Sequence, residues 1–559
     1  MGNSVKMQKA AAIICYVAVA FALIVLIICP IVSIFARSVI TDGKLDWSNL
    51  VQLFSDSEYF QTIGNSLLLG LSVTLLTTIV ALPLAYIFSR TSFAKAKWMD
   101  IVFMIPFMTP PYISAMGWTR FLGRNGFLQQ IMPFITNSQD FLYSFWGLTL
   151  IMTFNAFPFM FTLMKNAMLN IPSSLDEAGA VCGGGFFYRL RRIFAPMLLG
   201  NYAIAAILVF IRTIGEYGTP AVIGLQMSPA FYVFATSIQR FTTVAPVNFG
   251  MSAMLSVVLT ILCFALWLIQ NYLTEKKTYK VVSGKGVRVS YKKMPVWASV
   301  LCIAYIVIVL LLAVGVPYFS VVATSLFKTV SGGLSIDNLT FDNYIELFES
   351  GGRGVNAILI SLMLAVTSAT IASILGTIIC TFSRRRKNKL YKAPEAVGML
   401  PEMLPAIVLV VGIMLFWNAL YKVIPLYNTL GIMIVAYVAI FLPYSIQYVT
   451  SAYTQFSDNL PLAGRIMGGS KAYVFRRITF PLLLKGIVTG WMMIFIISFR
   501  ELVTATLLSP TNTLVVSTYI WRQFEQGHSQ LAMCMAVICL IITVGALLVV
   551  KVLTERKKR

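Results

Sequence analysis

One histidine, His528, stands in 559 residues. That excludes a histidine-built metal cage and a histidine proton relay, and His528 reads as a solvated outer-loop residue. Charge is scarce too. Asp, Glu, Lys and Arg make up 11% of the chain against 58% hydrophobic residues, which leaves too little polar surface to cover a soluble fold of this length. The eight cysteines show no CxxC spacing, and seven of them (Cys15, Cys29, Cys263, Cys302, Cys380, Cys534, Cys539) fall inside long apolar runs. They read as small apolar side chains, not as disulfides or metal ligands. A nucleotide-binding G-x4-G-K-[ST] is missing: Ser283-Gly-Lys-Gly and Gly469-Ser-Lys471 each lack part of it. With no convergent His, Asp or Cys constellation either, the chain reads as a non-enzyme whose energy source is another polypeptide.

What is present in excess is apolar length. A bilayer crossing needs about 20 mostly apolar residues, and twelve stretches qualify: roughly 10–36, 62–88, 98–120, 142–168, 197–217, 250–273, 295–321, 356–382, 396–421, 428–452, 482–506 and 530–551. None alternates with period two, so the expected fold is all-α and not a barrel. The first run follows Lys6 and Lys9 but is too long for a signal h-region, and reads as an uncleaved anchor.

The net charge of +23 does not point to nucleic acid. Lys and Arg gather in alternate gaps: Arg90, Lys95 and Lys97; Arg189, Arg191 and Arg192; Lys276 through Lys293; Arg384 to Lys392; Arg465 to Arg477; Lys551 to Arg559. The opposite gaps carry acids such as Asp42, Asp46, Asp56 and Glu58. This positive-inside pattern predicts both termini in the cytoplasm of a multi-pass protein in the lipid bilayer.

The chain also repeats itself. Ala178, Gly179, Gly183, Arg191, Arg192, Ile193 and Pro196 recur as Ala463, Gly464, Gly468, Arg476, Arg477, Ile478 and Pro481. Met104-Ile-Pro106-Phe-Met-Thr-Pro110 with Gly117 recurs as Met399-Leu-Pro401-Glu-Met-Leu-Pro405 with Gly412, and Ile87-Phe-Ser-Arg90 as Thr381-Phe-Ser-Arg384. Two six-helix halves of the same orientation follow, 1–273 and 295–559, joined by a basic cytoplasmic linker at 274–294.

Each copy of the first motif lies in a polar gap on the cytoplasmic side, at 173–196 and 458–481. In the first, Ser174 and Glu177 match an S-x-x-E capping box. Gly183 to Gly185 suit a tight turn, a second short helix Phe186 to Ile193 carries the arginines, and Pro196 opens the next span. The result is an elbow at the membrane surface. It suits either a connector lying on anionic lipid or a helix seated in a partner's groove; duplication favours the partner.

The run Glu177-Ala178-Gly179-xxx-Gly183-(nine residues)-Ile193-xx-Pro196 resembles the EAA loop of binding-protein-dependent ABC importer permeases. Gly179 replaces the usual second Ala, Ala195 and Phe480 precede the Pro, and Leu462 stands where the second copy would carry Glu. The resemblance implies a MetI-like fold in two tandem halves in the bacterial cytoplasmic (inner) membrane. Its implied partners are two copies of a cytoplasmic ABC ATPase, which uses ATP and Mg, and an extracytoplasmic substrate-binding protein. No cofactor is implied on this chain. A fused double permease of this size resembles the ferric-ion branch, as does Glu216-Tyr-Gly-Thr-Pro-Ala-Val-Ile-Gly224. Ferric iron is therefore the expected substrate, with 2-aminoethylphosphonate, hexose phosphate, thiamine or polyamine import by the same architecture as alternatives. A twelve-span secondary transporter fits less well, since it has no need of paired elbows.

Ionisable residues within spans are costly and usually functional. Arg212 and Glu216, four apart on one expected helical face, and Arg500 and Glu501 at the matching end of the second half, are candidate pathway residues, with Tyr217 and Phe499 beside them. The glutamates suit a hard cation; the arginines suit a phosphate, a phosphonate or an anion accompanying a metal. Mutual Arg–Glu satisfaction within the helix bundle is the structural alternative. Pro106, Pro110, Pro111, Pro401 and Pro405 interrupt the third and ninth spans and mark a gate or a packing kink.

Overall fold

The computed structural model describes residues 2–41, 43–96, 98–276, 294–349, 352–385, 389–457 and 459–555. Of the expected linker 274–294, residues 277–293 lie outside them, as does Asp458 at the start of the second elbow. In chain order the helices used below are α1 (Ile13–Val39), α2 (Ser57–Arg90), the pair α3 (Met99–Met108) and α4 (Pro111–Leu122), α5 (Phe145–Leu169), α6 (Ser173–Val181), α7 (Phe186–Ile214) and α8 (Gly218–Ile223). They continue with α9 (Phe249–Thr274), α10 (Val296–Ser325), α11 (Arg353–Arg384), the pair α12 (Ala393–Met403) and α13 (Ala406–Ala419), α14 (Leu430–Thr454), α15 (Asn459–Ile466), α16 (Lys471–Phe499), α17 (Val503–Leu508) and α18 (Ser529–Val549). Among the described residues ten are long and apolar enough to cross a membrane singly, and counting each bent pair as one span brings the number up to twelve.

The bent pairs are the proline-interrupted spans. The chain turns by 93° between α3 and α4 and by 113° between α12 and α13. Thr109 and Leu404, each followed by proline, have ψ of 135° and 138°. A proline ring disfavours helical backbone in the residue before it, so the helix stops there.

Proline acts differently elsewhere. Four π-turns, Ile24–Ile28, Leu190–Phe194, Leu311–Gly315 and Phe475–Thr479, interrupt long helices. Each is followed two residues later by proline: Pro30, Pro196, Pro317 and Pro481. The residue just before each proline donates its N–H to the carbonyl five residues back, as Ala195 does to Leu190. The wider turn relieves the clash of the proline ring with the preceding turn without breaking the helix. Pro196 was expected to open a new span; instead α7 runs from Phe186 through the π-turn in one piece, and the expected short helix Phe186 to Ile193 is its first part.

By contacts the chain forms two compact units, and these cut across the order of the sequence. One comprises Met1–Val51, Ile238–Thr260 and Tyr344–Arg559; the other comprises Gln52–Ser237 and Ile261–Asn343. In the first, α11, α14 and α16 pack as a bundle, and the C-terminal part of α1 lies on α13. In the second, α2, α5 and α7 form the equivalent bundle, and the C-terminal part of α10 lies on α4. Each unit thus takes the opening span of the other sequence half.

The repeated Gly117 and Gly412 make those contacts possible. A Cβ on Gly117 would stand 2.7 Å from the Pro317 carbonyl oxygen, and one on Gly412 2.6 Å from that of Pro30. The neighbour is backbone, so it cannot swing away. We expect Gly117→Val or Gly412→Val to cost about 1–3 kcal/mol by overpacking, read as a lower unfolding temperature in detergent; an unchanged transition would show the helices can separate freely.

Candidate functional site

Both elbows are built to the same plan. In the first, α6 starts directly after Pro172 (φ −60°, ψ 137°), which caps it without a side chain. The expected S-x-x-E box is therefore absent: Ser174 and Glu177 lie inside the helix, whereas a box needs the cap residue and the third helical residue. The turn follows as expected. Gly183 has φ 79° and Gly468 φ 88°, a region open to glycine and strained for other residues. Gly184 N–H donates to Gly179 O at 2.9 Å, and Gly469 N–H to Gly464 O at 3.0 Å, closing each helix end.

The Gly and Ile of the repeated motif are partners. A Cβ on Gly179 would lie 2.7 Å from Ile193 Cδ1, and one on Gly464 2.5 Å from Ile478 Cδ1. The Ile methyl thus packs on bare backbone and folds the elbow shut. The two differ in what else holds them. Arg189 Nε donates to the buried Asp176 Oδ1 at 2.8 Å, and its Nη1 to Gly184 O at 2.5 Å. The matching positions 285 residues on are Pro461 and Val474; a Val474 methyl lies 3.3 Å from where a Gly464 Cβ would be. An ion pair in one elbow is replaced by an apolar contact in the other.

The faces left outward are similar. Glu177, Ala178, Arg191, Arg192, Ala463, Arg476 and Arg477 are exposed, while Gly179 and Gly464 are half-buried. Beside them Val181 is 88% and Phe187 80% exposed, with Ile466 at 87% and Met467 at 89%. Large apolar side chains thus stand in the open beside paired arginines, a pattern of surfaces that another protein or an anionic lipid layer covers.

Sequence reasoning missed the residue that holds the first elbow to its scaffold. Arg90, the last residue of α2, is buried; its Nη2 donates to Met168 O at 2.5 Å and Ile171 O at 2.6 Å, where the chain enters the elbow. The same guanidinium lies 5.2 Å from the ring centre of Phe194, where the chain leaves it. Its counterpart Arg384 is exposed and lies 5.8 Å over Tyr453. The available signal was the repeated Phe-Ser-Arg at the end of a span.

The expected Arg212–Glu216 helical pair is not formed. Gly215 caps α7, so Glu216 lies beyond the helix. Both its carboxylate oxygens accept from Thr219 N–H, at 3.0 and 3.1 Å, at the start of α8. Glu501 does the same for α17, accepting from Val503 N–H at 2.9 Å and Thr504 N–H at 2.8 Å. Each carboxylate satisfies the open amides of a short helix. Arg212 is exposed and instead lies 4.5 Å over the Phe159 ring and 5.4 Å over Phe107. Tyr217 and Phe499 are buried, Phe499 stacking on Phe495 at 6.2 Å; Arg500 is half-buried at the end of α16. Among the described residues no group of three or more His, Cys, Asp or Glu could hold a metal ion.

A family model described as "Binding-protein-dependent transport system inner membrane component" matches residues 60–279 and 368–559. A ferric transport system permease protein of Actinobacillus pleuropneumoniae is 24% identical over 530 residues, covering 93% of this chain and 75% of that protein. An Fe(3+)-transport system permease protein of Haemophilus influenzae is 22% identical over 516 residues, covering 90% and 92%. A spermidine/putrescine transport system permease protein of the same species is 26% identical over 239 residues, covering 42% of this chain and 90% of its own.

Proposed function

We propose, because this chain belongs to the family of binding-protein-dependent transport system inner membrane components, that its two elbows are where ATP-driven motion enters it. The chain is a multi-pass inner-membrane protein, the permease subunit of an ABC importer, and subunits of that kind work with ATPase subunits and a binding protein. On our reading two ATPase copies, which consume ATP and Mg, clasp 173–196 and 458–481, one elbow each. We assign both termini and the linker 274–294 to the ATPase side, and each sequence half, 1–273 and 295–559, receives the motion through its own elbow. ATP binding draws the elbows together and opens the pathway outward to the loaded binding protein; hydrolysis resets it. The observation that carries this reading is the duplicated elbow: matched turn glycines, a matched Gly–Ile seam, and exposed apolar tips beside paired arginines.

Fe(III) is the substrate we favour, supported by likeness along nearly the whole chain to permeases named for ferric transport. A second reading, a phosphorylated or phosphonate solute, is supported by Arg212. Its guanidinium rests on two rings and has no hydrogen-bond acceptor among the described residues, as an anion site requires. Uptake of radiolabelled Fe(III) by cells with and without this chain, with 2-aminoethylphosphonate, hexose phosphate and spermidine as competitors, separates the readings. We expect uptake to vanish with the chain and to resist all three competitors. Unchanged iron uptake would move the assignment to the organic solutes.

A further inference from the structure

We infer that Glu402 is a direct contact for the transported cation, a role present on only one side of the repeat; this rests on the ferric reading above. Glu402 closes the last turn of α12, next to the 113° bend into α13. Its side chain is exposed, and Oε2 accepts from Gln447 Nε2 on α14 at 2.5 Å. Among the described residues no lysine or arginine pairs with it, and its other oxygen receives no hydrogen bond. A carboxylate in an apolar, membrane-length segment is costly against lipid, so such a group belongs where it faces a wet cavity or a ligand.

The repeat shows that folding does not require it. The position matching Glu402, 295 residues earlier, is Phe107, at the end of α3 beside the equivalent 93° bend. The position matching Gln447 is Thr162, whose hydroxyl donates to Pro158 O within its own helix at 2.8 Å and lies 3.4 Å from Met104 Sδ. The same broken helix is therefore made with a phenyl ring in place of the acid and a hydroxyl in place of the amide. What the second half adds is a carboxylate oriented by a neutral amide. Neutral orientation leaves the negative charge uncompensated, which suits a hard trivalent cation with its preference for oxygen donors. Glu216 and Glu501 differ in this respect, since their oxygens are committed to backbone amides.

The test is initial-rate Fe(III) uptake in cells expressing the full importer with wild-type chain, Glu402→Gln or Glu402→Asp. Rates are normalised to chain and ATPase recovered in the membrane, and ATPase stimulation by the loaded binding protein is measured in parallel. We expect Glu402→Gln to lower uptake by about tenfold or more, the scale of one lost charge-assisted contact. Glu402→Asp should keep a third or more, and ATPase stimulation should change less than twofold in both. Should Glu402→Gln fail to accumulate, Glu402→Ser, smaller and also neutral, takes its place. A neutral variant that imports iron at the wild-type rate overturns the role of Glu402 and leaves the ferric reading standing. A wild-type chain that imports no iron overturns both.

Discussion

Gly183→Pro combined with Gly468→Pro is expected to leave the chain in the membrane and to strip it of its ATPase. Proline locks φ near −65°, whereas the two positions sit at 79° and 88°. The turn cannot close around that ring. Gly183 N–H also donates to Ala180 O at 3.0 Å and Gly468 N–H to Arg465 O at 3.1 Å, and proline removes both donors. An ordinary side chain in this region carries roughly 1–3 kcal/mol of strain, so the loss with proline is larger, and it is confined to the elbows. The helices that cross the membrane begin and end elsewhere. Copurification of ATPase with tagged chain should fall below a tenth of wild type, while Gly183→Asn with Gly468→Asn, which tolerates positive φ, should keep at least half. Full copurification of the proline pair would remove the elbows from the coupling path.

Arg90→Met should uncouple the first elbow from the bundle that carries it. The buried guanidinium makes two hydrogen bonds to the carbonyls of Met168 and Ile171 and covers Phe194. Hydrogen bonds to a charged group contribute about 1.5–3 kcal/mol each, so a loss of roughly 3–5 kcal/mol is expected; Ile171 O loses its partner, while Met168 O keeps the Ile171 N–H at 3.1 Å. Met fills much of the space but donates nothing. Transport should fall at least tenfold while the chain still binds its ATPase, because the docking face lies beyond the clamp. Arg384→Met is the internal control: Arg384 is exposed and, among the described residues, lies over the Tyr453 ring, so transport should change by less than twofold. Equal losses at both positions would mean that Arg90 serves general stability and not transmission.

These two expectations draw on different levels of information. The elbow's turn and seam were legible in residue order because their parts are local: a glycine forced to positive φ and an isoleucine fourteen residues after the glycine it covers. Short-range sterics write such constraints directly into spacing. Arg90 was not legible, since its partners lie about 80 residues away on another helix and no spacing rule connects them. The Arg212–Glu216 pair was misread for a related reason. Two residues four apart face one another only while the helix continues, and Gly215 ends it between them.

The sequence by itself determined that this is a helical membrane protein with an internal repeat and two matching elbows between apolar spans. Apolar run length, charge bias and repetition are properties of the chain read in order, and the solvent acts on each segment separately. Only the tertiary structure decided that the opening span of each half packs in the unit built from the other, that Gly117 and Gly412 admit those helices, and that Glu216 and Glu501 cap short helices while Glu402 is held by a side-chain amide. Which apolar face meets which is a choice among many near-equal pairings in a chain this rich in apolar surface. Close packing between distant segments resolves it, and that information is absent from any single stretch of residues.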